Sequence, residues 1–411
     1  MTEFYDALET RDPTEREAAL IQAVAQQVAH AKHSTTAYAE LLKDVDPTQL
    51  TSRAAIAQLP LTRKSDLSSL QKAQRPLGGL AAVNGKALTH IFASPGPIYE
   101  PGSKRPDFWR LARALFSAGF REGDLVHNTF SYHLTPAGMM LESGAHALGC
   151  TVIPAGVGQT ELQVQTIADL QPSGYVGTPS FLKIMLEKAA ELGADVSSFK
   201  RGLVSGEALP PSVRAKFSEQ GIEVLQAYAT ADLGLIAYET SAKEGLVIDE
   251  GVYLEIVRPG TGDPVPEGEV GEVVVTSLNP DYPLIRFATG DLSAIMAGQS
   301  PCGRTNRRIK GWMGRADQTA KVRGMFIHPS QVDKVVKRHT DIHKARLVVD
   351  WRQEADQLTL KCEVLDPNDA LKQAISESMR DICKLRAEVD FVAVGSLPND
   401  GVVISDIRKY D

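Results

Sequence analysis

Cysteine is scarce in this chain and never paired. Cys150, Cys302, Cys362 and Cys383 stand singly in 411 residues with no CxxC, which excludes a disulfide framework. Metal-ligand spacing is missing too. A structural zinc site needs four N or S ligands, and pooling His127, His133, His146 and Cys150 gives no recognisable spacing. Basic charge is not in excess either: 44 Lys and Arg against 51 Asp and Glu leave −7, which argues against general nucleic-acid binding and against a polybasic membrane anchor. No apolar run is long enough to cross a bilayer. The opening MTEFYDALETRDPTE has no basic segment followed by an apolar core. The expectation is a cytoplasmic protein with reduced thiols, bound neither to nucleic acid nor to membrane.

What remains is ordinary globular composition, with 43% hydrophobic and 23% charged residues, in a chain long enough for two or three domains. Residues 14–43 carry Ala-rich helical spacing. LTHIFAS (88–94) reads as a strand running into ASPGPIYEPG (93–102), where Pro and Gly predict a loop. DFWRLARALFSAGF (107–120) has the spacing of a helix closed by glycine. Strand-type runs at 124–130, 151–156 and 173–179 alternate with helical stretches at 136–148, 160–170 and 180–192, the pattern of a mainly parallel sheet covered by helices. The alternation continues through 201–210, a helix at 211–219 and IEVLQAYATADLG (222–234). Beyond 235, closely spaced turn signals and β-branched residues predict antiparallel strands. The last stretch reads as helix 328–339, two strands, helix 370–385 and strand 388–394, a small α+β domain.

Between the β-rich part and that tail lies GWMGRADQTAKVRGMFI (311–327). Were it extended throughout, Lys321 and Arg323 would share one face. Its glycines permit close backbone approach, and its position suits a hinge. The predicted fold is α/β: a large N-terminal multi-subdomain domain over 1–313, with parallel sheets covered by helices plus a β-rich part, and a small mobile α+β domain over 314–411.

Several stretches occur in a telling order: GQTELQVQTIADLQPSGYVGTPSFL (158–182), SGEALP, AYATAD, RFATGDL (286–292), GRADQTAKVRGMFIHPSQVDKVV (314–336) and LPND-G (397–401). In this order and spacing they resemble the adenylate-forming superfamily of acyl-CoA synthetases, in its phenylacetate–CoA ligase-like branch. The resemblance implies an AMP-forming ligase. A small, aromatic carboxylic acid attacks the α-phosphate of ATP to give an acyl-adenylate and pyrophosphate, and the thiol of coenzyme A then displaces AMP. Mg²⁺ accompanies the nucleotide. Such catalysis is mostly positioning and charge stabilisation at phosphoryl oxygens.

Residue by residue, the resemblance makes Asp291 the acceptor for both ribose hydroxyls; a turn-capping Asp is the plainer alternative. Ser205, Gly206, Glu207 and Ala208 would pack on the adenine face. Ala227, Tyr228 and Ala229 would continue that wall, leading to Thr230 at the α-phosphate and Asp232, one methylene shorter than the family's Glu, at Mg²⁺. Thr230 and Asp232 are the catalytic candidates, although Asp232 as a helix N-cap competes. Ser94 and Gly96 fall in the phosphate loop. Arg315 matches a ribose and phosphate contact, Asp317 the hinge pivot, and Gly324 the coenzyme A path. Tyr132, His133 and Gly156 would line the acyl pocket; His133 as a structural residue is an equal alternative.

Two departures qualify the resemblance. Where the family reads Ser-Ser/Gly-Gly-Thr-Thr-Gly-Lys-Pro, this chain reads Ser94-Pro95-Gly96-Pro97-Ile98-Tyr99-Glu100-Pro101. The threonines are gone, prolines remove N–H donors, and Glu100 replaces the lysine of a loop that should be positive. Lys104 and Arg105 are candidates to substitute. Near the C-terminus Val402 follows Gly401 where the family has its catalytic lysine, and Lys409 would need a rearranged tail. The alternative reading is therefore a catalytically degenerate relative that binds AMP or an acyl-adenylate without efficient adenylation. A third reading sets the resemblance aside and makes 314–324 an interaction surface. Which acid is used, whether CoA is the acceptor, and whether the chain forms a homodimer stay open.

Overall fold

A computed structural model of the chain describes residues 3–83, 87–258, 261–316, 318, 320–327, 329–397 and 403–408. The chain divides into two compact units: Met1–Leu209 with Lys216–Met313, and Gly314–Asp411 with Pro210–Ala215.

The first unit is built on a nine-stranded sheet. Five strands are parallel, in the spatial order Thr151–Pro154, Leu125–Asn128, Gly174–Gly177, Arg201–Val204 and Glu223–Thr230. Helices Ala137–Ala147, Thr160–Leu170 and Pro179–Leu192 lie between successive parallel strands in the chain, as parallel pairing requires of its crossovers. Val176, Leu203 and Val204 are buried, in keeping with a sheet covered on both faces. The antiparallel strands expected beyond 235 extend this same sheet through Gly234–Tyr238, Leu246–Ile248, Arg308–Ile309 and Ile295–Met296. A second, four-stranded sheet orders Thr62–Arg63, Phe287–Ser293, Gly271–Ser277 and Val252–Val257. The last two strands are buried along their whole length, each large apolar side chain there contributing roughly 1.5–3 kcal/mol by burial.

Local expectations fail at three places in this unit. The helix expected over 14–43 is two, Pro13–Ser34 and Thr36–Leu41. Thr35, in extended conformation, ends the first and caps the second, its hydroxyl donating to the Ala31 carbonyl (2.9 Å) and accepting from the Tyr38 N–H (3.2 Å). The helix expected over 107–120 is only Leu111–Ser117. Asp107 and Arg110 take left-handed φ of 45° and 63°, making 107–110 a tight turn whose Trp109 carbonyl accepts from the Leu235 N–H at 2.9 Å. The loop expected over 93–102 is mostly strand: Leu88–Ser94 pairs antiparallel with Ile98–Ser103, Phe92 opposite Glu100. Burial of Phe92 and Ile98 holds the hairpin down, and a two-stranded sheet has free edges where proline is tolerated.

The beginning of the unit is tied to its end. The Glu9 carboxylate is wholly buried and meets Arg113 Nη1 (3.0 Å), Arg304 Nη2 (2.9 Å) and the Tyr238 hydroxyl (2.8 Å). Gln27 Nε2 donates to the carbonyls of Ser277 (2.9 Å) and Asn279 (2.7 Å).

The second unit has a four-stranded sheet in the order Glu388–Val392, Ala355–Val364, Ile342–Arg352 and Ile404–Asp406, with helices Pro329–Arg338 and Asp369–Cys383. Its core includes Val332, Val335, Leu347, Leu360, Ile375 and Met379. Ala320–Val322 and Met325–Ile327 form a hairpin. Arg323 and Gly324 take φ of 48° and 79°, the left-handed pair of a two-residue hairpin turn. Arg323 therefore leaves the strand and does not share a face with Lys321. Its side chain reaches the Asp356 carbonyl at 2.9 Å, whereas Lys321 Nζ sits 5.3 Å from the Phe326 ring centroid. Asp317, Gly401, Val402 and Lys409 lie outside the described residues. Among the described residues no helix is long and apolar enough to cross a membrane.

Candidate active site

In open α/β sheets, ligands bind beyond the carboxyl ends of the parallel strands. Here those ends are Asn128, Pro154, Gly177, Val204 and Thr230. Ser205–Ala208 follows one of them directly. Ser205 N–H donates to the Gly177 carbonyl at 3.1 Å, Gly206 turns the chain with φ 83°, and Glu207 Oε2 accepts from the Ser180 N–H at 3.4 Å.

Tyr228 and Asp291 are brought together. The Tyr228 hydroxyl donates to Asp291 Oδ2 at 2.8 Å, and Trp312 Nε1–H donates to Oδ1 at 3.1 Å. Asp291 lies inside the strand Phe287–Ser293, and its N–H is held by Thr289 Oγ1 at 3.1 Å. Two aromatic donors thus fix both oxygens of this carboxylate. Ala227 and Ala229, on the strand Glu223–Thr230, flank Tyr228 with nothing larger than a methyl group.

Asp232 follows Thr230 in a turn. Thr230 Oγ1 accepts from the Leu233 N–H at 3.2 Å, and the chain then enters Gly234–Tyr238. No helix begins here, so Asp232 is not an N-cap. Gly234 has φ 74°, and a Cβ on it would stand 2.6 Å from the Trp109 carbonyl oxygen. Only glycine fits so close to another backbone. Arg110 braces both sides of the turn, Nη2 donating to the carbonyls of Leu233 (2.8 Å) and Leu235 (2.9 Å), Nε to Asp249 Oδ2 (2.7 Å).

The Asp232 side chain is fully enclosed and Oδ2 is paired with Lys64 Nζ. Lys64 arrives from the strand Thr62–Arg63, whose parallel pairing with Phe287–Ala288 sets it beside the Asp291 strand. Glu100, on the 88–103 hairpin, is 1% exposed, with Ser94 Oγ donating to its Oε1. Its other oxygen, Oε2, and Asp232 Oδ1 are buried without a hydrogen-bond partner. Burial, then the charge of Asp232, pushes the Glu100 carboxyl up to about 8, against the opposing pull of Ser94 and Lys64. For Lys64, burial pulls down, but Asp232 first, then Glu100 and Asp291, hold the ammonium above its ordinary value.

The phosphate-loop candidates are thus rearranged. Ser94 is engaged with Glu100, and Gly96 sits in the turn with φ 155°. The expected substitutes point elsewhere: Lys104 is exposed, and Arg105 is exposed and paired with Asp281 at 3.0 Å. Lys64 is paired with Asp232 instead. Sequence reasoning assigned no role to Lys64, Trp312 or Thr289.

Tyr132 and Gly156 are neighbours: a Cβ on Gly156 would lie 3.9 Å from Tyr132 Cδ2. The Tyr132 hydroxyl donates to Glu142 Oε2 (2.7 Å) and accepts from Asn128 Nδ2 (2.7 Å). Gln163 Nε2 donates to the carbonyls of Gly156 (2.9 Å) and Gly158 (2.7 Å), and its Oε1 lies 2.8 Å from His127 Nε2. With both amide hydrogens occupied, Oε1 is the acceptor and His127 carries its proton on Nε2. Burial lowers the His127 pKa, keeping it neutral. His133 is exposed, its N–H accepted by Ser131 Oγ at 3.1 Å.

In the second unit the Arg315 guanidinium lies 6.0 Å from the Phe326 ring centroid, and Gly324 is exposed at the hairpin turn. Among the described residues no group of three or more His, Cys, Asp or Glu could hold a metal ion. Cys302 lies 3.0 Å from Ser300 Oγ.

Residues 109–279 match the family model of the AMP-binding enzymes, and residues 324–404 that of the AMP-binding enzyme C-terminal domain. The phenylacetate-coenzyme A ligase of Aromatoleum evansii is 31% identical over 377 residues, covering 87% of this chain and 84% of that protein. The phenylacetate-coenzyme A ligase of Thermus thermophilus is 30% identical over 409 residues, covering 90% and 91%. Among solved structures, 2-hydroxyisobutyryl-CoA ligase in complex with 2-HIB-AMP and CoA superposes with a TM-score of 0.84 at 25% identity, covering 100% of this chain and 93% of that one.

Proposed function

Because the chain belongs to the AMP-binding enzymes, in the family of the phenylacetate–CoA ligases, we propose that it uses ATP to convert a small carboxylic acid to an acyl-adenylate and transfers the acyl group to coenzyme A. The observation that carries this reading is the Asp291 carboxylate, held by Tyr228 and Trp312, on the strand next to Lys64 and Asp232. We assign Asp291 to the two ribose hydroxyls, a task that suits a carboxylate accepting charge-assisted hydrogen bonds. Ser205, Gly206, Glu207 and Ala208, with Ala227, Tyr228 and Ala229, form the adenine wall. Thr230 reaches the α-phosphate.

Mg²⁺ takes hard oxygen ligands and retains water. The orphaned Asp232 Oδ1 fits it, and the ion would neutralise phosphoryl oxygens as charge builds there. Lys64 supplies a second positive charge, answering the missing lysine of the phosphate turn. Tyr132 and Gly156 shape the acyl pocket, with His133 at its rim, and the finer assignment is an aromatic acid. In the second unit we assign Arg315 to the nucleotide, Asp317 to the pivot and Gly324 to the coenzyme A path.

The degenerate alternative gains no support from the comparisons, since the relatives matched over nearly their whole length are themselves ligases by name. The test is calorimetric titration with AMP and with ATP·Mg²⁺, followed by acyl-CoA formation from a panel of acids, phenylacetate among them. Binding of both nucleotides and acid-dependent acyl-CoA are expected. Asp291→Ala should weaken AMP at least about tenfold, the loss of two charge-assisted hydrogen bonds. A wild-type protein that binds neither nucleotide refutes the proposal.

A further inference from the structure

Glu142 lies on the helix Ala137–Ala147, four residues after Gly138. That spacing puts both on one helix face, and Tyr132 is packed against it. A Cβ on Gly138 would stand 2.8 Å from Tyr132 Cγ and Cδ2, so the ring occupies the space that any side chain at 138 would need. The same ring edge meets Gly156, whose Cβ position lies 3.9 Å from Cδ2. The hydrogen bonds around the phenol admit one arrangement. Asn128 is wholly buried; its Oδ1 accepts from the Phe130 N–H (3.1 Å) and its Nδ2 donates to the Gly138 carbonyl (2.9 Å). Those contacts fix the amide, so Nδ2 is also the donor to the Tyr132 oxygen (2.7 Å). The phenol hydrogen then belongs to Glu142 Oε2 (2.7 Å), in a charge-assisted bond of the stronger kind. Burial, then Glu142, pushes the Tyr132 pKa up, which keeps that hydrogen in place. Among the described residues, Tyr132 is the one hydrogen-bond partner of the Glu142 carboxylate.

We propose that Glu142 is a specificity-determining positioning residue for the acid: by taking the Tyr132 hydrogen it holds the ring against Gly138 and withdraws that ring's donor from the acyl pocket. This rests on the assignment of Tyr132 and Gly156 to the pocket above. A tyrosine whose hydrogen is committed meets the substrate as an apolar wall. An acyl group with an acceptor atom on that side loses water and gains no hydrogen bond from the phenol, and a buried acceptor left unpaired is costly. The wall therefore favours a plain aryl ring over a ring of the same shape that carries an acceptor atom.

The test is kcat/KM for acyl-CoA formation from each positional isomer of pyridylacetate, divided by that for phenylacetate. These acids share one shape and differ by an acceptor nitrogen. Glu142→Leu frees the phenol O–H, and the ratio should rise about threefold to tenfold for at least one isomer, the worth of one hydrogen bond to a neutral acceptor. Glu142→Gln keeps an acceptor for Tyr132 and should hold the ratio within about twofold of wild type. In a Tyr132→Phe background Glu142→Leu should leave the ratio unmoved, since no phenol remains to be freed. Melting curves establish that each variant is folded, and Glu142→Ala repeats the measurement if Glu142→Leu is not. A Glu142 that merely supports its helix would lower every acid alike; a constant ratio across the variants overturns the proposal, as does a gain that persists in the Tyr132→Phe background. A wild type that forms acyl-CoA from other acids and from none of these overturns the pocket assignment, and the role of Glu142 with it, while leaving the ligase standing. A wild type that binds neither AMP nor ATP strikes at the proposed function itself.

Discussion

Asp107→Asn should stabilise the protein, and more so as pH rises. Asp107 sits at φ 45° in the turn that leads to Arg110 and so to the brace on the Asp232 turn. Its Oδ2 accepts from the Ala112 N–H at 3.1 Å while Oδ1 is enclosed without a partner. Burial first, with Asp249 adding, pushes the carboxyl up to about 7 from 3.8, against the Ala112 hydrogen bond and Arg110. A carboxyl raised in the folded state is protonated there while the unfolded chain is ionised. The folded state therefore loses stability as pH climbs from about 4 to about 7, and the loss is complete above that. Three units at about 1.4 kcal/mol each set an upper limit of about 4 kcal/mol. Asparagine tolerates the left-handed region, its oxygen keeps the Ala112 bond, and its amide nitrogen fills the second position without charge. The expected gain above neutrality is about 2–4 kcal/mol, and about half that near pH 5.5. Spread over a first unit of roughly 300 residues, this amounts to about 3–6 °C in Tm. Paired thermal melts of wild type and variant at about pH 5.5 and 8.5, compared by difference, read it directly. An equal gain at both pH values, or a loss at the higher one, refutes the reasoning.

Gly234→Ala places a methyl 2.6 Å from the Trp109 carbonyl at φ 74°; we expect about 3 kcal/mol or more of lost stability in urea melts, with weakened ATP binding as the Asp232 turn shifts. Arg286 is buried against Glu255 (2.9 Å) and donates to the carbonyls of Ala57, Leu59 and Gly262. Arg286→Met strands the Glu255 charge and should cost about 3–5 kcal/mol by the same measurement. Gln163→Leu frees the Gly156 and Gly158 carbonyls; steady-state kinetics should show KM for the acid raised about tenfold with KM for ATP nearly unchanged.

The α/β class and the family were legible because both rest on local signals. Strand and helix periods alternate cleanly from 124 to 204, and RFATGDL and AYATAD are short strings. The candidate site was legible only where one string carried it. Tyr228 and Asp291 could be named singly, yet their hydrogen bond depends on strands 63 residues apart. Lys64 meets Asp232 across 168 residues, and no local propensity encodes such a meeting. Helical spacing over 107–110 was overridden by the Trp109–Leu235 bond, and the proline signal at 95–101 by burial of Ile98. Arg323 looked like strand because its neighbours are; a left-handed turn residue has no side-chain signature when it is not Gly, Asn or Asp.

The ties between the first residues and the last strands of the large unit bear on how the protein is made. Glu9 waits for Tyr238 and Arg304, Gln27 for Ser277, and Thr62–Arg63 for Phe287–Ala288. At about 5–20 residues per second, the ribosome delivers those partners on the order of tens of seconds after the segments that need them. In that interval the Glu9 carboxylate and the Gln27 amide, the latter on the helix Pro13–Ser34, are without the partners they meet in the fold. A segment made early is therefore secured late, and a nascent chain halted before residue 304 would leave Glu9 without Arg304.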